Sequence, residues 1–132
     1  MKVIVDTSVW SLALRRDDPP GCREVELLRK LIDGRDVVCL TGTILQETLQ
    51  GFRSDERFKR LVRALAPFPL VRLARADYVF AAEIRSVCRS GGIQVGTMDA
   101  QIAAAAIRHE CSLLTTDRDF HRIGTRFPLD LA

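Results

Sequence analysis

Two short runs of apolar residues, each followed by an aspartate, constrain the fold of this chain more than any other feature. The run 3–5 (Val-Ile-Val) precedes Asp6, and in the segment 111–116 Leu113 and Leu114 lead through two threonines to Asp117. Apolar runs without alternating polar residues are typical of parallel strands that are covered on both faces. Open α/β sheets bind ligands beyond the carboxyl ends of such strands. We therefore expect both aspartates at the functional edge of a sheet, close together if their strands are neighbours.

Predicted strands and helices alternate along the chain, which favours a parallel α/β sheet with right-handed crossovers. Turn-forming residues at 17–21 and 90–92 interrupt the pattern without resembling a domain linker. The length of 132 residues predicts a single domain spanning 1–132. The predicted strands are 2–6, 36–41, 68–73, 112–116 and a last one near 127–131; the predicted helices are 8–15, 22–33, 43–52, 55–65, 75–90 and 98–109.

Two further acids, Asp99 and Glu47, are predicted in helices at the same edge. Asp99 opens an alanine-rich helix, and Ala103 and Ala106 follow it at the spacing that shares one helix face. That face should pack inward, where a carboxylate needs a partner. Glu47 is expected in the first turn of a helix that begins with a capping box at 43–46.

Each acid also has an ordinary structural interpretation. Asp6 could cap the helix that follows it, and Asp99 or Glu47 could favour a helix amino terminus through the helix dipole. Asp119 is expected to cap a short turn at 120–123 rather than to act as a fifth metal ligand. Capping and dipole roles do not require acids on both the strands and the helices of one edge. The joint arrangement therefore favours a shared metal site.

Carboxylates that converge in this way suit Mg²⁺ or Mn²⁺, which prefer oxygen ligands. Such an ion can lower the pKa of a bound water and stabilise charge on phosphate oxygens. A zinc hydrolase is disfavoured, because His109 and His121 are the only histidines. His109 is expected late in a helix, where the dipole or a surface position explains it better than metal ligation.

The charge pattern indicates a polyanionic substrate. The net charge is only +3, but if five acids are assigned to the site, the 20 basic residues exceed the remaining 12 acids by eight. Seventeen basic residues are arginine, whose planar guanidinium matches phosphate, although a solvated position is the ordinary role for any one of them. The arginines nearest in sequence to the acids are Arg15, Arg16, Arg53 and Arg118.

The cysteines and the hydropathy pattern predict a cytoplasmic protein without a membrane segment. The four cysteines form no C-x-x-C pair and are expected to be reduced thiols. The longest uncharged stretch, 37–46, is too short to span a bilayer. Asp6 interrupts the first apolar run before it could form the core of a signal peptide.

Four segments in order resemble the PIN-domain ribonucleases, and among them the VapC-type toxins of toxin–antitoxin pairs. They are 5–10 (Val-Asp-Thr-Ser-Val-Trp), Glu47, Asp99 with the alanines after it, and T-x-D-x-D-F at 115–120. The resemblance implies a PIN-like (Rossmann-like) three-layer α/β/α sandwich with a short parallel sheet. It also implies an endoribonuclease that uses Mg²⁺ or Mn²⁺ to activate water against an RNA phosphodiester.

The resemblance assigns an acidic quartet made of Asp6, Glu47, Asp99 and Asp117, of which Asp6, Asp99 and Asp117 would be the metal ligands. Supporting roles, such as positioning a water molecule, are implied for Thr7, Ser8, Thr115 and Asp119. The implied partners are an RNA substrate, a cognate antitoxin protein and a second copy in a homodimer. Residues 96–98 (Gly-Thr-Met) depart from the polar residues that relatives often carry before this acid.

Other functional classes fit the sequence less well. A non-catalytic PIN-like protein-binding module is the main alternative, and the complete quartet favours the enzyme. A phosphoacceptor receiver domain would need a lysine after a late strand, whereas the last lysine here is Lys59. A phosphatase of the Asp-x-Asp type would need an aspartate two residues after Asp6, where the chain has Ser8.

Overall fold

The computed structural model describes residues 1–14 and 21–132, which form four strands and seven helices. The strands are β1 (Lys2–Val5), β2 (Val37–Thr41), β3 (Leu70–Val71) and β4 (Ser112–Leu114). The helices are α1 (Thr7–Ala13), α2 (Arg23–Asp33), α3 (Gly42–Gln50), α4 (Asp55–Leu65), α5 (Arg75–Ser90), α6 (Thr97–Arg108) and α7 (Asp119–Gly124).

The strands form one parallel sheet in the order β3-β2-β1-β4. The central strand β1 pairs with β2 on one side and with β4 on the other, so that Ile4 lies between Cys39 and Leu113. All three residues of the apolar run 3–5 are fully buried, which is the burial that an uninterrupted apolar strand predicts. The predicted α/β fold with a short parallel sheet is confirmed.

The connections place helices on both faces of the sheet. The helices α1 to α4 connect β1 to β2 and β2 to β3 in one direction, whereas α5 and α6 return the chain from β3 to β4. Because parallel crossovers are right-handed, a reversal of direction moves the connecting helices to the opposite face. The packing agrees, since α1 contacts α2 and α3 while the most extensive helix pair is α5 with α6. The result is the three-layer sandwich.

Small residues bring α6 close to its neighbours. Residues 103–106 are four consecutive alanines with at most 1% of their surface exposed. Alanine is the strongest helix former, and its small side chain lets a helix approach a sheet and a second helix together. The sequence predicted this helix, at 98–109, to within one residue of its observed bounds.

Several predicted boundaries are wrong. The last strand near 127–131 is a single bridge between Leu113 and Leu131, while the predicted strand 68–73 is reduced to the two residues of β3. The helix α3 begins at Gly42 and is capped by Thr41, whose side chain accepts from the Ile44 N–H. The predicted capping box at 43–46 is therefore wrong. Arg15, Arg16 and most of the predicted break at 17–21 lie outside the described residues.

One buried acid lies away from the carboxyl edge of the sheet. Asp77, in the first turn of α5, is 1% exposed and accepts from the Ala74 N–H at 2.7 Å and from Arg108 Nε at 2.8 Å. His109 Nε2 lies 3.2 Å from both carboxylate oxygens. Burial is the largest effect on the Asp77 pKa and raises it, but these hydrogen bonds outweigh it and leave the pKa below its usual range. Asp77 therefore ties the start of α5 to the end of α6.

The four cysteines are free thiols. Burial, with a smaller contribution from Cys111, raises the pKa of the Cys39 thiol to about 12, so this thiol stays protonated at neutral pH. Among the described helices, none combines the length and the apolar character needed to cross a bilayer.

Candidate metal centre

The carboxyl ends of β1 and β4 lie side by side and carry the first two acids of the site. Val5 pairs with Leu114, and the Asp6 N–H donates to the Leu114 carbonyl oxygen at 2.9 Å. The chain leaves both strands at the same edge, through Asp6 on one strand and through two threonines to Asp117 on the other. The two strands are therefore neighbours, as a shared site requires.

Two hydroxyl groups orient the Asp6 carboxylate. The Ser8 and Thr115 hydroxyls each donate to Asp6 Oδ2 at 2.8 Å. The same hydroxyls accept from the backbone beyond β4, Ser8 Oγ from the Thr116 N–H at 3.1 Å and Thr115 Oγ1 from the Asp117 N–H at 3.0 Å. These bonds fix one carboxylate oxygen, and no hydrogen bond to Asp6 Oδ1 is found within residues 1–14 and 21–132.

The capping interpretation of Asp6 is wrong. Asp6 occupies the N-cap position of α1, but its side chain forms no cap hydrogen bond. The carboxylate is instead nearly buried, with 7% of the residue exposed, and its bonds run towards β4. A carboxylate that turns away from the free N–H groups of its own helix is held for another purpose or by another partner.

Three carboxylates converge beside Asp6. One oxygen atom from each of Asp99, Asp117 and Asp119 lies within 4.8 Å of the other two. Asp99 is the third residue of α6 and Asp119 the first residue of α7, while the Asp119 N–H donates to Asp117 Oδ1 at 2.9 Å. The predicted N-cap role of Asp119 is wrong, because Arg118 occupies the N-cap position of α7.

The electrostatics of Asp99 show that the acids repel one another. Burial is the first cause and the charge of Asp117 the second, followed by those of Asp6, Asp119 and Glu47, and together they raise the Asp99 pKa to about 6. Each of these contributions disfavours the ionised form. A cation at this position would reverse the effect.

Glu47 approaches the centre from the other face of the sheet. It is the sixth residue of α3, not in the first turn as predicted. Burial, followed by the charge of Asp6, raises its pKa above the usual range. The nearby Thr7 hydroxyl has a smaller and opposite effect on the Glu47 pKa. Glu47 therefore interacts electrostatically with Asp6 and Asp99, outside the group of three converging oxygens.

The donor set fits a hard divalent cation. It consists of carboxylate oxygens, and none of the five acids forms an ion pair with a basic side chain among the residues described. Mg²⁺ and Mn²⁺ are commonly held by a few carboxylates and keep several waters. Carboxylates packed together without a basic partner are a costly arrangement, and a bound cation would remove that cost.

The candidate phosphate-binding arginines do not form a visible cluster with the acids. Arg118 is exposed and lies between Asp117 and Asp119 in sequence, without an ion pair to either in the described structure. Arg53 lies in the turn after α3 and is exposed. The structure therefore gives neither arginine a defined contact in this site.

One contact between the acid-bearing helices was not predicted. Thr43 Oγ1 lies 3.4 Å from Gln101 Oε1, to which it donates. Thr43 is four residues before Glu47 on α3, and Gln101 is two residues after Asp99 on α6. The pair therefore links the two helices that carry acids. Two polar residues 58 positions apart give no local pattern, so sequence periodicity could not have identified it.

The PIN-domain family model matches residues 3–125. This chain belongs to the PIN-domain family. A ribonuclease named VapC11, from Mycobacterium tuberculosis, is 30% identical over 124 residues, covering 92% of this chain and 91% of the relative. A VapC ribonuclease from Mycobacterium bovis, Mb1587, matches to the same extent. These matches confirm the resemblance to VapC-type PIN proteins that the sequence indicated.

The fold also matches solved structures over nearly its whole length. VapBC2 from Rickettsia felis, solved bound to a DNA fragment from its promoter, gives a TM-score of 0.79 at 20% identity, covering 100% of this chain and 98% of that one. VapC20 from Mycobacterium tuberculosis, described as a toxin that cleaves the sarcin-ricin loop, gives a TM-score of 0.67 at 19% identity, covering 92% and 95%. At these identities the structures support the fold alone.

Proposed function

We propose that this protein is an endoribonuclease that depends on Mg²⁺ or Mn²⁺ and acts as the toxin of a VapBC-type toxin–antitoxin pair. The observation that carries the proposal is the group of three carboxylates beside a hydroxyl-oriented Asp6, at the carboxyl edge of the sheet. Membership of the PIN-domain family and the ribonuclease relatives at 30% identity support the reaction class.

The residues would divide the work as follows. Asp6, Asp99 and Asp117 would hold the ion, with Asp119 as an additional oxygen donor. When bound, the ion supplies an acidified water and neutralises charge on the phosphate. Ser8 and Thr115 keep one Asp6 oxygen in place, which reduces the reorganisation needed during the reaction.

Glu47 would accept a proton from the attacking water rather than bind the metal ion. Its pKa is raised by burial and by Asp6, which moves it towards the range where a carboxylate can accept a proton at neutral pH. It lies outside the group of three converging oxygens but close enough to affect Asp99. We therefore assign it to orienting the attacking water and accepting its proton.

Cleavage of total RNA by the purified protein tests this proposal. EDTA should abolish cleavage, and Mg²⁺ or Mn²⁺ should restore it. Asp6→Asn and Asp99→Asn should each reduce the rate by about a hundredfold or more, the scale of removing one preorganised electrostatic group. Asp33→Asn is the matched control, because Asp33 is an exposed acid at the end of α2. Full activity in either site variant, or cleavage that survives EDTA, would contradict the assignment.

We further propose a cognate antitoxin and a homodimer as partners. The similar folds include complexes such as VapBC2. Two apolar side chains four residues apart on α4, Phe58 and Val62, are 42% and 41% exposed and could receive an apolar antitoxin segment. A basic antitoxin side chain could then neutralise the acids in place of the metal.

Expression in a host tests the partners directly. The protein alone should arrest growth, and co-expression of the adjacent small gene should restore it. Light scattering on the purified protein should give the mass of two chains. Growth without arrest, together with no stable complex with the neighbouring gene product, would contradict the toxin role. The nuclease activity is tested separately by the RNA-cleavage assay.

A further inference from the structure

A cavity of about 230 Å³ lies between α5 and α6, on the outer side of the helix that carries Asp99. On α5 it is lined by one stripe that begins at Tyr78 and ends with Arg85 and Arg89. On α6 it is lined by Thr97 and Gln101, one turn apart. Asp99 lies between these two in sequence, on the opposite side of the same helical turn. The cavity and Asp99 thus lie on opposite sides of the first turn of α6.

The lining combines an apolar floor with polar groups around it. Ala81 and Ala100 form a floor that is almost fully buried, and Tyr78 is 49% exposed at one end. The volume is below that of a pocket for a drug-sized ligand, and it suits a single planar ring system. An exposed aromatic ring beside an apolar floor can hold such a ring by stacking.

The two arginines give the cavity a positive side. Arg85 Nε donates to the Val95 carbonyl at 2.7 Å, which fixes the base of the guanidinium and leaves its terminal nitrogens available. Neither Arg85 nor Arg89 forms an ion pair with an acid in residues 1–14 and 21–132. Both also line a second, smaller cavity formed by the loop that leads into α6. Two arginines without acidic partners offer charge complementarity to phosphate.

Gln101 supplies a directional hydrogen-bonding group in the α6 wall of the cavity. Its Oε1 accepts from Thr43 Oγ1, and its side-chain nitrogen forms no hydrogen bond within residues 1–14 and 21–132, so it can donate to a ligand in the cavity. A side-chain amide of this kind can read the edge of a nucleobase. The Thr43 contact also fixes Gln101 relative to the α3 face that carries Glu47.

We propose that this cavity is a nucleotide subsite for single-stranded RNA, in which one base stacks on Tyr78 and the neighbouring phosphates contact Arg85 and Arg89. The inference rests on the proposed ribonuclease function for its choice of polyanion. It assigns substrate selection to α5 and the first turn of α6, separately from the acids that would perform the reaction.

Binding measurements in an Asp6→Asn background separate the subsite from the chemistry. The probe is a single-stranded RNA of about ten nucleotides and mixed sequence, followed by fluorescence anisotropy at several salt concentrations. Tyr78→Ala should weaken binding by about tenfold, the scale of losing one base–aromatic stack, without changing the salt dependence. Tyr78→Phe should bind like the parent, because it keeps the ring.

The arginine variants should behave differently from the tyrosine variants. Arg89→Ala should weaken binding and also reduce the slope of log affinity against log salt by about 0.7, the value for one lost phosphate contact on a single strand. Arg75→Ala is the matched control on the same helix, because Arg75 is exposed and does not line the cavity. Val79→Ala serves as the control next to Tyr78. Both controls should bind like the parent.

The outcomes distinguish this inference from the proposed function. In the active protein, Tyr78→Ala should alter which sequences are cut while metal dependence stays the same. RNA that binds Tyr78→Ala and Arg89→Ala as tightly as the parent would overturn the subsite, even if the wild type cleaves RNA. Absence of RNA binding by the parent would also overturn it. A loss of dimer mass in these variants would overturn it in favour of an interface between two copies.

Discussion

Replacing Asp99 with asparagine should make the metal-free protein more stable at neutral pH. In most proteins a polar substitution at a partly buried helix position destabilises the fold. Here burial, followed by repulsion from four neighbouring acids, raises the Asp99 pKa to about 6. Asparagine keeps the shape of the side chain and removes the charge. The substitution should therefore relieve repulsion that the wild-type fold tolerates.

The size of the effect follows from the pKa. A rise from 3.8 to about 6, at about 1.4 kcal/mol per pKa unit, makes ionised Asp99 destabilising by about 3 kcal/mol. Solvent screening of this partly exposed group reduces the figure to about 2 kcal/mol. The variant also loses about 0.5 kcal/mol of favourable interaction with the α6 dipole. The net gain should be about 1–2 kcal/mol, or roughly 3 to 8 °C in melting temperature.

The pH dependence has a definite sign. A carboxyl group whose pKa rises on folding is destabilising only where the unfolded chain would ionise it. The destabilisation is therefore absent well below pH 3.8, grows between pH 3.8 and about 6, and stays constant above that range. The stability difference between Asp99→Asn and wild type should follow the same curve, wide at pH 7.5 and nearly closed at pH 4.

Urea denaturation in EDTA, at pH values from 4 to 7.5, measures this difference, with Asp33→Asn as the control. Adding Mg²⁺ should then reverse the order of stability, because a ligand that binds only the folded state stabilises the protein that binds it more tightly. A variant that unfolds more easily than wild type in EDTA at pH 7.5, with a difference independent of pH, would refute the reasoning. Asp99 would then be a structural residue of the helix amino terminus.

Three other substitutions test separate parts of the structure. Asp77→Asn should lower the free energy of unfolding, measured by urea denaturation, by about 2–4 kcal/mol, since it weakens a buried charge-assisted network. Because the Asp77 pKa is lowered, the greater stability of the wild type should be present above pH 4 and disappear as the pH falls further. Thr48→Val should stabilise the fold by about 1 kcal/mol, since the buried Thr48 hydroxyl has no hydrogen-bond partner in the described structure; a lower melting temperature would show that it has one. Thr115→Val should reduce the cleavage rate by about tenfold with little change in melting temperature, since it removes one of the two hydroxyls that hold Asp6 Oδ2; an unchanged rate would exclude a positioning role.

Elements whose local pattern and burial agree could be predicted from the sequence. The apolar run 3–5 is a fully buried central strand, and helix α5 has the predicted bounds of 75–90. The prediction of a strand at 68–73 was wrong in its length, because residues in this segment differ in their ability to pair and in their burial. Pro69 lacks an N–H for pairing, and Leu70 is 44% exposed on the last strand of the sheet, so only a short edge strand forms.

The sequence pointed to the acids that lie near one another in the candidate site, but it predicted their arrangement only in part. Asp119 looked like a helix cap because an aspartate before an apolar turn usually is one. The Asp117 carboxylate accepts from the Asp119 N–H instead, which starts α7 one residue earlier and turns Asp119 towards Asp99 and Asp117. At the start of α3, Thr41 and Thr43 are both acceptable caps. The choice depends on where β2 ends, which is a tertiary property.

Asp77 and Asp99 have opposite electrostatic surroundings, and this difference distinguishes a structural acid from a candidate functional one. Asp77 is more deeply buried than Asp6, yet Arg108, His109 and a backbone N–H compensate its charge, and its pKa is lowered. Among residues 1–14 and 21–132, the charged groups that shift the Asp99 pKa are all acids, and together with burial they raise it. Selection for stability alone would favour a neutral or basic residue in such a position. Acids that repel one another at one edge of an otherwise well-satisfied fold support the proposal that a divalent cation binds there.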